Sequence, residues 1–546
     1  VYKTIIFYWP KNINALNQLG HLYYLLKNYD DSIRYFNNSL SLRINQSDTL
    51  LERALSYIEI DALDEAMEDC NLALNINPSL SEAYNARAVV YGRFGNIEQA
   101  ILECTQAITI NKNYVEAYNN RVVFYFQLKF FQEALKDCSY LVKIGGANAI
   151  TYNNIGLIHL SNNENKEAIE ALNTAILMDI DNADYYINRG VAYDATKNHQ
   201  QAIDNFCKAI DIKPDYCKAK SCIGVIELKL KKFNIGWDNY EFRAHKKSLV
   251  QLNKLLKLYS ANYSKFNANR HCKGLLVIGE QGLGDEIIFS SLLLDLLKTE
   301  LKVTLIISPK LVSLFGRSFK NITVIGETED NLSISSLKKL NFDQYIMLGS
   351  LGRLYRKSVD DFKNHPKSYL KVDLDQSKKL KNTVKLPNRL LCGISWKSEN
   401  TEVGFLKSIA LNELSKAFDL KKIDLLSLQY GDVNTEIQNV RSNNIFINEI
   451  DEIDNIKDID GLASLISVCD FVVTISNVTA HIAGSLGIKT YLLLPYSVGA
   501  LWYWHEDDDV SLWYPSIRIF RQDESRNWLT VIQELSDHLK REYEYA

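Results

Sequence analysis

The chain lacks a basic excess. It has 62 lysines and arginines against 66 aspartates and glutamates, a formal net charge of -4, so nothing in its overall charge suits nucleic acid or an anionic membrane. A phosphate-bearing ligand would need a local site. It also lacks a long apolar run: the most apolar window, Ile287 to Leu297, is too short to cross a bilayer and is broken by Asp295. No transmembrane segment is expected. The N-terminal stretch from Val1 lacks the basic, apolar and small-residue order of a secretory signal. Cysteines are few as well, and an odd total of nine scattered thiols reads as a reduced, cytoplasmic protein without structural disulfides. What is present is ordinary globular composition, 47% apolar and 23% charged over 546 residues, enough for about three folding units.

The first half repeats. Ala66, Ala100, Ala134, Ala168 and Ala202 recur every 34 residues, and Tyr84, Tyr118, Tyr152 and Tyr186 keep the same period. Small residues Gly20, Ala54, Ala88, Gly156, Gly190 and Gly224 lie twelve positions ahead of the alanine row, with Val122 as the large exception. Two small positions at that spacing let antiparallel helices approach closely. Tyr23, Tyr57, Tyr91, Tyr125 and Tyr193 fall one helical turn after the small residue. Pro78 and Pro214 mark repeat ends, because proline cannot donate the next helical hydrogen bond.

This pattern resembles the tetratricopeptide repeat, with six units over about residues 13–216 and a diverged seventh to about 245. Cys70, Cys104 and Cys138 occupy the position that Phe36 and Phe206 fill in other units and are read as core packing. Stacked repeats form an extended surface whose usual partner is a polypeptide. Asn120, Asn154 and Asn188, 34 apart, predict a polar row able to hold an acceptor protein's backbone. A similar asparagine ladder lines the solenoid of O-GlcNAc transferases. The competing reading is that these amides cap or bridge helices.

From about residue 273 the pattern changes to short apolar runs alternating with helical segments, which predicts parallel α/β layers. Expected strands are Leu275–Ile278, Val303–Ile307, Ile322–Ile325 and Tyr345–Leu348 in one lobe. Leu390–Ser395, Ile423–Leu428, Phe471–Ile475 and Tyr491–Leu494 are expected in a second. The expected organisation is a solenoid over 1–247, a polar linker over 248–272, an N-terminal Rossmann-like lobe over 273–387 and a C-terminal one over 388–546.

Gly279-Glu280-Gln281-Gly282-Leu283-Gly284-Asp285 joins the first of these strands to a helix. Its backbone N–H groups are placed to meet a phosphate or substrate, but its spacing is neither the dinucleotide fingerprint nor a P-loop. With Ile287-Ile288-Phe289 it resembles bacterial proteins that join tetratricopeptide repeats to a domain related to the ADP-heptose:lipopolysaccharide heptosyltransferases. The resemblance extends through Gly236-Trp237, Tyr240-Glu241-Phe242-Arg243, Gly393-Ile394-Ser395-Trp396, Ser427-Leu428-Gln429, Thr479 to Gly487, Trp513-Tyr514-Pro515 and Phe520-Arg521-Gln522.

That likeness implies an α-solenoid followed by a two-lobed glycosyltransferase B fold, which moves a hexosyl or heptosyl unit, with inversion, from a nucleotide diphosphate sugar to an acceptor hydroxyl. No metal or other cofactor is expected. Asp285 carries over as the general base; its alternative is a helix cap. Gly282, Leu283 and Gly284 form the glycine-rich loop beside it. Donor binding is carried over to Lys407, with Lys397 as runner-up, and to Ser476, Asn477, Thr479, Ala480, His481 and Gln429. Positive charge stabilises the departing diphosphate, whereas His481 could equally be a packed ring. Ser476-Asn477 stands where the resembled pattern has aspartate-threonine, which keeps open a non-catalytic adaptor with a degenerate sugar-nucleotide domain. An envelope-saccharide transferase is a further alternative. His505-Glu506-Asp507-Asp508-Asp509 is read as a solvated acidic loop and not as metal ligands, since contiguous acids cannot all face one ion.

Overall fold

The computed structural model describes residues 2–243, 264–267, 272–328, 330–337, 339–363, 366–384, 387–400 and 403–543. The chain divides into two compact units, Val1–Pro214 and Asp215–Ala546.

The first unit is a stack of antiparallel helix pairs, such as Ser81–Arg93 with Ile97–Ile110 and Ala183–Ala195 with His199–Ile212. The small-residue row works by close approach: a Cβ added to Gly190 would stand 2.5 Å from the Phe206 ring, and one on Gly156 2.6 Å from Leu172. Cys70, Cys104 and Cys138 are fully buried at that same packing position, and burial pushes each thiol up to about 12. They are core side chains.

Two periodic features were not anticipated. Arg53, Arg87 and Arg121 each pair with an acid sixteen residues on, Asp69, Glu103 and Asp137, within the same helix pair. In the fifth of these positions Arg189 meets Asn205 instead, 2.8 Å away. The turn inside each pair is left-handed at one residue: Lys27, Asp61, Gly95, Lys129, Asn163 and Lys197, with φ between 57° and 81°. The next N–H then reaches back five residues, as Phe130 does to the Tyr125 carbonyl at 2.8 Å, the hydrogen bond that closes a Schellman end.

The second unit begins with one more such pair, Cys217–Lys229 and Phe233–Tyr240, whose turn residue Lys231 has φ 59°. In packing, therefore, this last repeat-like pair belongs with the α/β part. Two all-parallel sheets follow. The first comprises β1 (Ser264–Lys265), β2 (Leu275–Ile278), β3 (Val303–Ile307), β4 (Ile322–Gly326) and β5 (Gln344–Met347), in the order β1-β5-β2-β3-β4. The second comprises β6 (Leu390–Ser395), β7 (Ile423–Ser427), β8 (Ile447–Asn448), β9 (Phe471–Ile475), β10 (Thr490–Leu494) and β11 (Ile517–Arg521), in the order β11-β10-β9-β6-β7-β8. Most of the expected linker lies outside the described residues; the described Ser264–Lys265 within it is an edge strand beside β5.

The second sheet has the doubly wound order, reversing between β6 and β9, and the first reverses between β2 and β5. Ligands of open α/β sheets bind beyond the carboxyl ends of strands at such reversals. The loops after β2, β6 and β9 thus occupy the expected place.

Candidate functional site

The glycine-rich loop leaves β2 and enters the helix Leu283–Ser290. Asp285, in its first turn, accepts the Gly282 N–H at 3.1 Å and so caps the helix; glycine has no side chain to return the bond. Asp285 is half-buried. Burial pushes its carboxyl up to about 6, opposed by the Gly282 N–H and reinforced by the Glu280 charge. Both readings of Asp285 therefore meet in one side chain: a cap, and a carboxylate whose proton affinity suits a base near neutral pH. Leu283 and Gly284 are half-buried and Gly282 is exposed.

Opposite stands the helix Val478–Ser485, which follows β9. A Cβ on Gly284 would lie 2.8 Å from the His481 ring, so the two loops touch and only glycine permits the approach. His481 is buried, with Nδ1 3.1 Å from the Tyr514 hydroxyl and Nε2 3.2 Å from that of Tyr503. Its ring stacks on Trp504, and burial together with the nearby Lys407 charge drives its pKa down to about 3. His481 is a neutral packed ring with both nitrogens engaged, which leaves no nitrogen for a donor contact in this arrangement.

Four side chains tie the ends of β6, β7 and β9 together. The Thr474 hydroxyl donates to Asn477 Oδ1 at 3.1 Å, Asn477 Nδ2 to Ser395 Oγ at 2.8 Å, and Ser395 Oγ to Gln429 Oε1 at 3.0 Å. Gln429 Oε1 also takes the backbone N–H of Trp396 and of Lys397. Gln429 and Asn477 are thus committed to holding the strand ends, a role their place in a donor contact set did not predict. Ala480 is fully buried.

The remaining groups gather at the start of the Val478–Ser485 helix. Lys407 is buried; its Nζ donates to the Ser476 carbonyl at 3.2 Å, and burial lowers its pKa. Ser476 Oγ accepts the Trp504 indole N–H at 2.9 Å. Thr479 is fully buried and its hydroxyl has no hydrogen-bond partner among the described residues. Lys397, by contrast, is ion-paired with Glu436 at 2.8 Å, and the Trp396 indole N–H donates to the same carboxylate. Alongside, a cavity of about 380 Å³ opens past the ends of β7 and β8, lined by Gln429, Tyr430, Asp432, Glu449, Asp454 and Asn455. In the first sheet's lobe a cavity of about 360 Å³ lies past β5, lined by Arg243, Lys265, Tyr345, Met347, Ser350 and Arg353.

Several supporting residues escaped sequence reading. Arg243 forms a buried two-pronged ion pair with Glu280, whose Oε1 also accepts the Gly349 N–H at 2.9 Å. Both lie in motifs that the resemblance singled out, which was the available signal. The acidic segment after Trp504 is solvated only in part: Asp507 and Asp509 are exposed, but Asp508 pairs with Lys231 at 2.5 Å, Glu506 approaches Lys229 at 4.0 Å, and His505 is buried with φ 45°. Those cations sit on the last helix pair, a pairing invisible at a sequence separation of more than 270 residues. No group of three metal-ligating side chains occurs among the described residues.

In the solenoid, Asn120 Nδ2 donates to Asn85 Oδ1 at 2.9 Å and Asn188 Nδ2 to Asn153 Oδ1 at 2.8 Å. Asn154 is buried, its Nδ2 without a partner among the described residues. The three do not form one uniform row: two bridge adjacent helix pairs and the third faces inward.

Residues 13–43, 81–114, 149–182 and 183–216 match the tetratricopeptide repeat. Protein FlbA of Caulobacter vibrioides is 25% identical over 268 residues, covering 47% of this chain and 44% of FlbA, so the chain spans less than half of that relative. Among solved structures, a chain of the APC/C hetero-tetramer Cut9-Hcn1 is 17% identical, with a TM-score of 0.37 over 44% of this chain and 48% of that one. A tetratricopeptide repeat protein of Parabacteroides merdae is 20% identical, TM-score 0.36, over 41% and 89%. The type IV pilus biogenesis factor PilW is 16% identical, TM-score 0.36, over 39% and 98%. No helix among the described residues is long and apolar enough to cross a membrane. The chain carries a tetratricopeptide-repeat solenoid, a scaffold that typically binds peptide or protein partners, followed by a parallel-sheet α/β region.

Proposed function

We propose that the α/β region is a glycosyltransferase of the two-lobed B type, moving a sugar from a nucleotide diphosphate sugar to an acceptor hydroxyl, with a protein bound by the solenoid as acceptor. The observation that carries this reading is Lys407: a buried ammonium whose hydrogen-bonded partner is a carbonyl, beside the N-terminus of the Val478–Ser485 helix and near the unpartnered Thr479 hydroxyl. Such a cation is unfavourable when empty and favourable once an anion arrives, and the helix end adds free N–H groups.

In this reading the diphosphate lies beside Lys407 and the nucleoside in the cavity past β7 and β8, where Asp432, Glu449 and Asp454 can accept hydroxyl hydrogens of a ribose. Asp285, on the facing loop, takes the proton of the acceptor hydroxyl as that oxygen attacks the anomeric carbon. The bond to the diphosphate breaks on the opposite side, and Lys407 receives the charge that develops on the leaving phosphate. A binding module without transfer is the second reading, favoured by the capping bond of Asp285 to Gly282.

Melting curves recorded with ADP, GDP and UDP and their sugar conjugates test donor binding, because a ligand of the folded state raises the transition. A rise with one nucleotide, followed by release of nucleoside diphosphate when acceptor protein is added, supports transfer. Binding without release supports the module. No shift with any of them overturns both.

A further inference from the structure

We infer that Trp237, Tyr240 and Arg243, at the end of the last repeat-like helix pair, are positioning residues that hold the glycine-rich loop and through it Asp285. This rests on the reading of Asp285 as the base. Trp237 and Tyr240 are three residues apart in the helix Phe233–Tyr240, and Arg243 follows in the turn that ends it, its N–H on the Tyr240 carbonyl. The Trp237 indole N–H donates to the Arg356 carbonyl at 2.7 Å, and its ring fills the space where Gly352 lacks a Cβ. The Tyr240 hydroxyl donates to Gln281 Oε1 at 3.0 Å, and Gln281 is held at φ 61°, a conformation that a non-glycine residue keeps only when its surroundings enforce it. Arg243 grips the preceding residue, Glu280, with Nε on Oε2 at 2.9 Å and Nη2 on Oε1, while Nη2 also reaches Ser350 Oγ at 3.1 Å. Its guanidinium lies over the Tyr240 ring, 4.7 Å from the centroid.

Two consecutive loop residues are thus fixed by two residues of one helix end, and the next residues are Gly282, which gives its N–H to Asp285, and the helix that carries Asp285. None of these holding groups needs to touch a substrate. The groups that bear on the Asp285 carboxyl are Glu280, Arg243, Tyr240, Tyr503 and Tyr514. Losing the grip on the loop would let water reach that carboxyl and return it toward the ordinary carboxylate range.

The test uses the full chain with Tyr240→Phe and Arg243→Lys, each made alone and combined with Asp285→Asn. Melting temperature is measured at pH 5 and pH 8. In the parent background Asp285→Asn is expected to gain stability at pH 8 relative to pH 5, because ionised Asp285 is disfavoured there. If Tyr240 and Arg243 position the loop, that pH-dependent gain shrinks to less than half in either variant. If they only add stability, both variants melt lower at both pH values and the gain is unchanged, which overturns the inference. Tyr240→Phe is the milder change and keeps the test informative should Arg243→Lys not fold. With a donor and acceptor in hand, kcat should fall by up to about a hundredfold, as for an ångström-scale misplacement, with donor KM nearly unchanged. Loss of the pH-dependent gain in a chain that shows no transfer would uphold the positioning role and remove the base reading.

Discussion

The ammonium of Lys407 lies 3.2 Å from the carbonyl oxygen of Ser476, and no carboxylate among the described residues forms an ion pair with it. Lys397, ten residues earlier, donates its backbone N–H to Gln429 and pairs its ammonium with Glu436. The first choice and the runner-up from sequence are therefore physically unlike: Lys407 has a carbonyl for its hydrogen-bond partner, Lys397 a carboxylate.

Lys407→Met should weaken pyrophosphate binding by about ten- to a hundredfold, the range of a lost hydrogen bond to a charged group. Lys397→Ala should change it by no more than about threefold, since exposed ion pairs contribute little. Calorimetric titration distinguishes them. The unliganded Lys407→Met chain should also melt at or above the parent. Burial lowers the folded pKa of Lys407 below its unfolded value of 10.5, so the unfolded state holds more protons between the two. Parent stability is diminished below the folded pKa and recovers as pH rises toward 10.5. The advantage of Met is thus expected to be largest near pH 7 and to shrink in alkali.

Asp285→Asn should abolish transfer, by on the order of a hundredfold or more, while leaving nucleotide affinity unchanged. The carboxyl is held near 6 against 3.8, so it favours the folded state when protonated, below the unfolded value, and loses that contribution as pH rises through about 6. Asparagine keeps an oxygen for the Gly282 N–H without the charge. The variant is expected to gain more stability relative to the parent at pH 8 than at pH 5, which lies between the two pKa values, with parent activity rising through pH 6. Equal melting differences at both pH values would show that Asp285 titrates normally.

How much of this was legible in the sequence depends on range. The 34-residue period placed Ala66, Cys70 and Gly156 in the core correctly, because each packs against a neighbour at fixed spacing. Eight strands were located to within a residue from apolar runs alone, while β1, β8 and β11 were missed: the first two are two residues long, and the apolar residues of β11 are interrupted by Arg518 and followed by Arg521. Side-chain commitments were not legible. Nothing local distinguishes His481 as a packed ring from a ligand; that is decided by Tyr503 and Tyr514, which lie 22 and 33 residues away. Likewise the acids at 506 and 508 look solvated until Lys229 and Lys231 are brought beside them.

The left-handed turn residues allow a prediction about the solenoid. Lys129 has φ 61°, which strains any side chain with a Cβ, whereas Gly95 fills the equivalent place without strain. Lys129→Gly should stabilise the first unit by up to about 1 kcal/mol, and Lys129→Val should destabilise it by more than that, read from urea unfolding midpoints.

The asparagines test the division of labour between the two halves. Asn120 and Asn188 each spend their Nδ2 on an asparagine of the preceding helix pair, so either change to alanine leaves that partner's oxygen without its bond. Each should cost roughly 0.5 to 1.5 kcal/mol of stability. Asn154 is different, since its buried Nδ2 already lacks a partner; Asn154→Ala removes an unsatisfied group and should cost less than either, despite its deeper burial. If the bridging amides also hold an acceptor's backbone through their remaining oxygens, Asn120→Ala with Asn188→Ala should raise the acceptor concentration needed for half-maximal transfer while donor affinity stays unchanged. Long acceptors should then suffer more than short ones. Should the double variant melt early and bind acceptors of every length as before, the amides serve only to join helices, and acceptor recognition must be sought on another surface of the solenoid.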